Sequence, residues 1–255
     1  MRIAVVTGAS SGMGREFCRQ LDRENDFDEM WVVARRENRL ESLSSELKCK
    51  VRPVAMDLTD DASFEKYTAL LKEYEPDVAV LVNASGFGKF GKYTDVSPED
   101  EAGMIDLNCR ALVLMTRATL PYMHEGGQIY QLCSVAAFQP IPYINVYGAT
   151  KAFVLNYSRA LNVELRDRGI RCLAVCPFWT KPEFFDRAAT SDTKAGTYYS
   201  VMFTAEEIVA QALKDMKKKK DTSLHSLRVK LQILGVKLLP HKLVMRIWMR
   251  QQKHS

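Results

Sequence analysis

No run of this sequence is apolar for long enough to span a bilayer. Its first residues, Met1-Arg-Ile-Ala-Val-Val-Thr-Gly8, read as the direct entry into a strand rather than as a charged-then-apolar signal peptide. Cys18, Cys49, Cys109, Cys133, Cys172 and Cys176 make no CxxC pair and no metal-ligand spacing, so neither a redox motif nor a metal site is expected. Most lie in apolar stretches, which predicts reduced, buried thiols in a cytoplasmic protein. Internal repeats and low-complexity linkers are absent as well. The basic residues lack interleaved stacking aromatics or a known motif, so no nucleic-acid partner is expected.

What is present is an ordinary globular balance: 255 residues, 47% hydrophobic and 26% charged, which suits one large α/β domain better than two small ones. The net charge of +5 is unevenly placed. From Lys214 to Ser255 there are twelve Lys or Arg against two Asp or Glu, leaving 24 against 29 for the remainder. An acidic body therefore carries a basic C-terminal appendage.

Short, nearly continuous apolar runs predict strands covered on both faces at 3–7, 30–34, 51–55, 78–82, 128–133 and 171–176. Helical patterns fall between them at 13–23, 38–47, 62–74, 98–123 and 147–167. This alternation predicts right-handed crossovers and a Rossmann-like, doubly wound parallel sheet. The expected domain runs over residues 1–221, with a substrate loop at about 178–203 and a basic, amphipathic helical extension at 222–255. Thr204-Ala-Glu-Glu207 has capping-box-like chemistry for a helix to about Lys217.

In such sheets, ligands bind beyond the carboxyl ends of the strands. The first strand leads into Thr7-Gly8-Ala9-Ser10-Ser11-Gly12-Met13-Gly14 and then a helix. Glycines there allow a tight turn and close backbone approach to a pyrophosphate at the helix N-terminus. The second strand ends Ala34-Arg35-Arg36, with no acid to repel a 2′-phosphate and two guanidinium groups to bind one, which points to NADP(H). A solvated basic helix start is the plainer alternative. Asp57, with Leu58 beside it, is placed to meet the adenine, and Asn83-Ala84-Ser85-Gly86 to pass its backbone beneath the adenosine side.

Tyr147 and Lys151 share a helix face, so a nearby ammonium and the oxidised nicotinamide would lower a phenol pKa from its usual ~10. Ser134, ending the fifth strand, is placed to hydrogen-bond a substrate oxygen, and Asn108 to hold a water linking Lys151 to solvent. Each alone is as readily a packing pair, a turn serine or a backbone partner. In their joint order the sequence resembles the short-chain dehydrogenase/reductase family over residues 1 to about 177. The resemblance rests on Thr7–Gly14, Asp57, Asn83–Gly86, Asn108, Ser134 and Tyr147-Gly-Ala-Thr-Lys151. It implies a seven-stranded sheet, hydride transfer at a nicotinamide, and a dimer or tetramer packed through the fourth and fifth helices. Carried over by position, Tyr147 is the acid–base, Ser134 polarises the carbonyl, Lys151 holds the ribose, and Asn108 completes a proton relay. Two departures stand out. Ser85 widens the motif after the fourth strand. After the sixth strand the family's Pro-Gly-x-Val-x-Thr becomes Pro177-Phe178-Trp179-Thr180-Lys181-Pro182, with Thr180 as the replacement contact to the nicotinamide.

Phe178, Trp179, Phe184, Phe185, Tyr198 and Tyr199 gather in the substrate loop, either as ordinary lid packing or as the lining of a pocket for a bulky, apolar carbonyl such as a steroid, a retinoid-like molecule or an acyl chain. In the tail, Leu224, Leu227, Leu231, Leu234 and Leu238 form one apolar stripe; beyond Pro240 come Leu243, Val244, Ile247 and Trp248. These faces are read first as a cap over the pocket or a subunit interface, and second as peripheral contact with an inner membrane surface. Competing readings are a catalytically silent NADP-binding regulatory or scaffold protein, and a nucleotide-sugar epimerase or dehydratase on a related fold.

Overall fold

A computed structural model of the protein describes residues 1–180 and 202–252. Seven parallel strands form one sheet: β1 (Arg2–Thr7), β2 (Glu29–Ala34), β3 (Lys50–Ala55), β4 (Asp77–Asn83), β5 (Gln128–Leu132), β6 (Arg171–Val175) and β7 (Thr222–Ser223). Their order is β3-β2-β1-β4-β5-β6-β7. All six apolar runs form strands. β7, at two residues, is too short to leave a periodic signal, and it sits just past residue 221 at the edge of the sheet.

The continuous apolar character of β1 follows from burial on both faces. Ala4 and Val6 join Phe17, Leu21, Ile208 and Leu213 on one side of the sheet. Ile3 and Val5 join Tyr67, Leu71, Met115 and Leu161 on the other. Each such side chain contributes roughly 1.5–3 kcal/mol on full burial. The layers are made by α1 (Gly12–Glu24) and α7 (Ala205–Lys217) on the first face, and by α3 (Asp61–Tyr74), α5 (Leu112–Thr119) and α6 (Asn145–Glu164) on the second. The capping box predicted at Thr204 is formed reciprocally with Glu207.

Two helices depart from the predicted pattern. The segment 38–47 is helical only over α2 (Glu37–Glu41), then tightens into a 3₁₀ turn, Ser42–Ser45. The Ser42 and Ser45 hydroxyls donate to the carbonyls of Arg39 and Ser42, competing with the helical ladder. The helix predicted over 98–123 is α4 (Pro98–Ile105), a π-helical turn (Asp106–Ala111) and α5, closed by a 3₁₀ turn at Leu120–Tyr122. Asn108 sits within the π turn.

Beyond β7, α8 (Leu227–Leu238) and α9 (His241–Gln251) return across the carboxyl end of the sheet. Val229, Ile233 and Val236 on α8 and Val244 on α9 are buried. The leucine stripe read from the sequence is not the inward face: Leu227, Leu231, Leu234 and Leu238 are exposed. α8 is apolar on two opposite sides, so periodicity alone could not say which one packs.

Candidate active site

The strand order reverses between β1 and β4, and the main cleft opens there, beyond Thr7 and Asn83. Thr7 joins the two strand ends, its hydroxyl oxygen accepting from the Ala84 and Ser85 N–H groups at 3.0 and 3.1 Å. The turn after β1 leaves no room for side chains: a Cβ on Gly14 would lie 2.3 Å from the Gly8 carbonyl oxygen, and one on Gly8 would lie 2.8 Å from that of Ala84. Gly12, by contrast, has φ +53° and open space beside it.

The N-terminus of α1 therefore meets the cleft as bare backbone. Ser11 makes no side-chain cap, and the first turn carries no acid. Unsatisfied N–H donors and the positive helix end suit a pyrophosphate. The Arg36 guanidinium reaches back over this turn, donating to the Ser10 and Ser11 hydroxyls at 3.0 and 3.3 Å. Arg35 instead faces Asp57 at 3.7 Å. Asp57 also accepts from the N–H and hydroxyl of Thr59; burial raises its carboxyl, but these bonds and Arg35 outweigh that and hold it below the ordinary value. Gly8, Ser10, Ser11, Gly12, Met13, Gly14, Arg35, Arg36, Asp57, Leu58, Ala84 and Ser85 all line this cavity of about 410 Å³. The residues fit a dinucleotide. Asn83 does not line it: its amide is buried, donating to Thr116 and Gln131 at 3.0 Å each, so it ties β4 to β5 and α5.

A second cavity of about 370 Å³ adjoins the first through Met13, Ala84, Gly86 and Leu132. Tyr147, Lys151 and Ser134 meet there, all buried. Ser134 caps a 3₁₀ turn (Val135–Phe138), accepting from the Ala136 N–H at 3.1 Å, which leaves its hydroxyl proton to point elsewhere. Lys151 donates to the Leu132 carbonyl at 2.8 Å, and its ammonium lies 5.5 Å from the centre of the Tyr147 ring. The lowered phenol pKa expected from Lys151 is not what the chain alone provides. Burial pushes the Tyr147 phenol well above its ordinary value, with a hydrogen bond to Ser134 in opposition. Burial likewise draws the Lys151 ammonium down, against the pull of the neighbouring thiols.

The Asn108 side chain makes three hydrogen bonds within the chain. It accepts from the Phe87 N–H at 3.0 Å and donates to the Phe87 carbonyl and the Thr150 hydroxyl at 2.9 and 3.1 Å. Both amide protons are in use, so the side chain clamps the segment after β4 against α6. A Cβ on Gly86 would lie 2.8 Å from Asn108 Oδ1.

Pro177, Phe178, Trp179 and Thr180 line the second cavity. The Thr180 hydroxyl donates to the Phe178 carbonyl at 3.1 Å, which fixes the turn after β6. Phe184, Phe185, Pro182, Tyr198 and Tyr199 lie outside the described residues. Sequence reasoning missed Thr116 and Gln131, the bonds that Thr7 accepts, and the cavity walls Phe90, Ile141 and Ile144. Trp248 comes from α9, stacks on Trp179 with ring centres 6.5 Å apart, and donates to the Pro142 carbonyl at 3.2 Å. The tail helices thus cap the cavity above Tyr147, the first of the readings weighed for them.

Dinucleotide-dependent oxidoreductases are the class this fold defines when its switch-point cleft opens onto a tyrosine, a lysine and a serine. Over residues 2–193 the chain matches the short-chain dehydrogenase family, and it belongs to that family. It is 35% identical over 213 residues to the NADP-dependent 3-hydroxy acid dehydrogenase YdfG of Salmonella typhi, covering 81% of this chain and 85% of that one. A solved short-chain dehydrogenase from Sphingobium yanoikuyae in complex with NADPH superposes with a TM-score of 0.78 at 28% identity, covering 93% and 94% of the two chains. The bulky-bulky ketone specific alcohol dehydrogenase from Comamonas testosteroni gives 0.73 at 26% identity, covering 93% and 92%.

Proposed function

We propose that the protein is an NADP(H)-dependent oxidoreductase interconverting a bulky, apolar ketone and its secondary alcohol, with Tyr147 as the proton donor and acceptor. The observation that carries this reading is the place of Tyr147, buried where the glycine-turn cleft meets an apolar cavity. The Arg36 guanidinium above Ser10 and Ser11 supports a 2′-phosphate at that end, and the Sphingobium relative binds NADPH.

The cofactor supplies or takes up the hydride. The chain's own residues do the rest. Ser134, fixed by its bond from Ala136, donates its hydroxyl proton to the carbonyl oxygen. Tyr147, protonated through burial, gives its proton to that oxygen during reduction and receives it during oxidation. Lys151 presents a cation beneath the ring and anchors the α6 face to β5 through Leu132. Phe90, Ile141, Ile144, Phe178, Trp179 and Trp248 exclude water from the reacting carbon.

Relatives are named both for a hydroxy acid and for a bulky ketone. The aromatic and aliphatic walls favour the second. An NADPH-oxidation screen over steroids, long-chain aliphatic ketones, acyl carbonyls and hydroxy acids tests this. Turnover of the bulky apolar ketones is expected; turnover confined to small polar ketones or hydroxy acids rejects the substrate class. Tyr147→Phe is expected to lower kcat by roughly 10²–10⁴ while leaving NADPH binding in place. A variant that turns over like the parent rejects the mechanism.

A further inference from the structure

The tail helices have a second face that the active site does not use. On α8, Leu227, Leu231, Leu234 and Leu238 recur at i, i+4, i+7 and i+11, on one side of the helix. They are 71%, 59%, 53% and 75% exposed. Arg228 stands on one flank of this stripe, Lys230 and Lys237 on the other, and Lys242, Arg246 and Arg250 continue the cationic surface along α9; all six are exposed. Neither helix contains a single Asp or Glu.

We propose that this face docks the protein on an anionic lipid surface, with the leucines in the acyl–headgroup boundary and the flanking cations against lipid phosphates. The charges select this occupant. Two copies packed stripe to stripe would bring twelve helix cations together with no Asp or Glu on either pair of helices to answer them, whereas an anionic bilayer answers all of them. The basic tail on an acidic body would also hold the body away from the membrane. No helix among the described residues is long and apolar enough to cross a membrane, so α8 and α9 lie in the interface plane.

This docking deepens the proposed reading of the site. Leu239 and Ile247 are each 40% exposed and also line the cavity above Tyr147, so they form a rim shared by the outer face and the pocket. Ile233, Val236 and Val244 continue the apolar path inward. A docked protein would open its cavity towards the acyl region, where a bulky apolar carbonyl partitions. Docking itself can be measured whichever carbonyl the site reduces.

The full chain is sedimented with vesicles of phosphatidylglycerol and phosphatidylcholine, and with phosphatidylcholine alone. It is expected to pellet with the anionic vesicles and to be released by salt. Leu231→Asp/Leu234→Asp should abolish pelleting, and Lys230→Gln/Lys242→Gln should weaken it roughly thirtyfold, from about fivefold per cation near an anionic surface. None of these four side chains lines the cavity, so the thermal midpoint and NADPH binding should stay as in the parent. The proposal is overturned if the parent stays in the supernatant, or if the leucine variant pellets like the parent. It is also overturned if, without vesicles, ultracentrifugation shows that the leucine variant has broken an oligomer, because the stripe then belongs to a second copy.

Discussion

Burial holds the Tyr147 phenol well above its ordinary value in the chain alone, so in the proposed reaction the side chain enters as a proton donor across the neutral range. Ketone reduction should therefore be flat through neutrality and fall only under alkaline conditions. Alcohol oxidation needs the phenolate and should rise with pH; coincident profiles in the two directions would count against Tyr147 as the shared group. At the other end of the cleft, Arg36 would give a 2′-phosphate charge-assisted bonds of about 1.5–3 kcal/mol. Arg36→Ala should raise the KM for NADPH by roughly ten- to a hundredfold and leave that for NADH nearly unchanged. Equal loss with both cofactors would place the 2′-phosphate elsewhere. Glu29 shows the same logic applied to stability. Bonds from Arg52, then Lys50 and Trp31, outweigh burial and hold its carboxyl down to about 2, against 4.5 for the free group. Because the folded value is the lower one, its stabilisation is complete above pH 4.5 and is lost as the pH falls towards about 2. Glu29→Gln should thus cost stability in neutral urea melts, and the difference from the parent should shrink across that acidic window.

Elements were legible where one periodicity dominates. Ala4 and Val6 facing one layer while Ile3 and Val5 face the other make β1 apolar throughout, and the glycine turn follows it directly. The sheet and the cleft could be read in this way, whereas the meeting of Tyr147, Lys151 and Ser134 rested on the joint order of motifs and the family resemblance. Three features could not. The two residues of β7 are too few for a pattern. α8 is apolar on opposite sides, so Val229, Ile233 and Val236 were hidden behind the more conspicuous leucines. The π turn around Asn108 is a backbone event that side-chain spacing does not encode, although π turns recur at functional sites. That turn aims the Asn108 amide at both backbone groups of Phe87 and at Thr150. Asn108→Ala should cost about 2–4 kcal/mol, because the part-buried Phe87 N–H and carbonyl and the buried Thr150 hydroxyl lose their partner. Gly86, packed on Asn108 beside Lys151, would shift with it. Activity should then fall further than the stability loss alone explains, which a comparison of kcat with the folded fraction would show. A decline in kcat matching only the folded fraction would make Asn108 a purely structural residue.

At the scale of the whole molecule, the exposed apolar side chains of the described residues gather mainly in two places. One is the tail. The other lies on α4 and α6, which pack side by side and expose Ile105 on the first, and Phe153 and Val163 on the second. Phe153 stacks on Tyr157 with ring centres 6.1 Å apart, so the patch presents a rigid aromatic pair. These are the fourth and fifth helices of the sequence pattern, through which the family resemblance implies a dimer or tetramer. An isologous contact here would leave the cleft and the tail of each copy open, since both lie at the carboxyl ends of the strands. Introducing a carboxylate at the centre of such an interface buries an unpaired charge in each copy and costs several kcal/mol. Phe153→Asp should therefore convert an oligomer into monomers in sedimentation velocity. The side chain is already half in solvent, so the monomer should remain folded and still bind NADPH. An unchanged sedimentation coefficient would show that α4 and α6 do not form the contact.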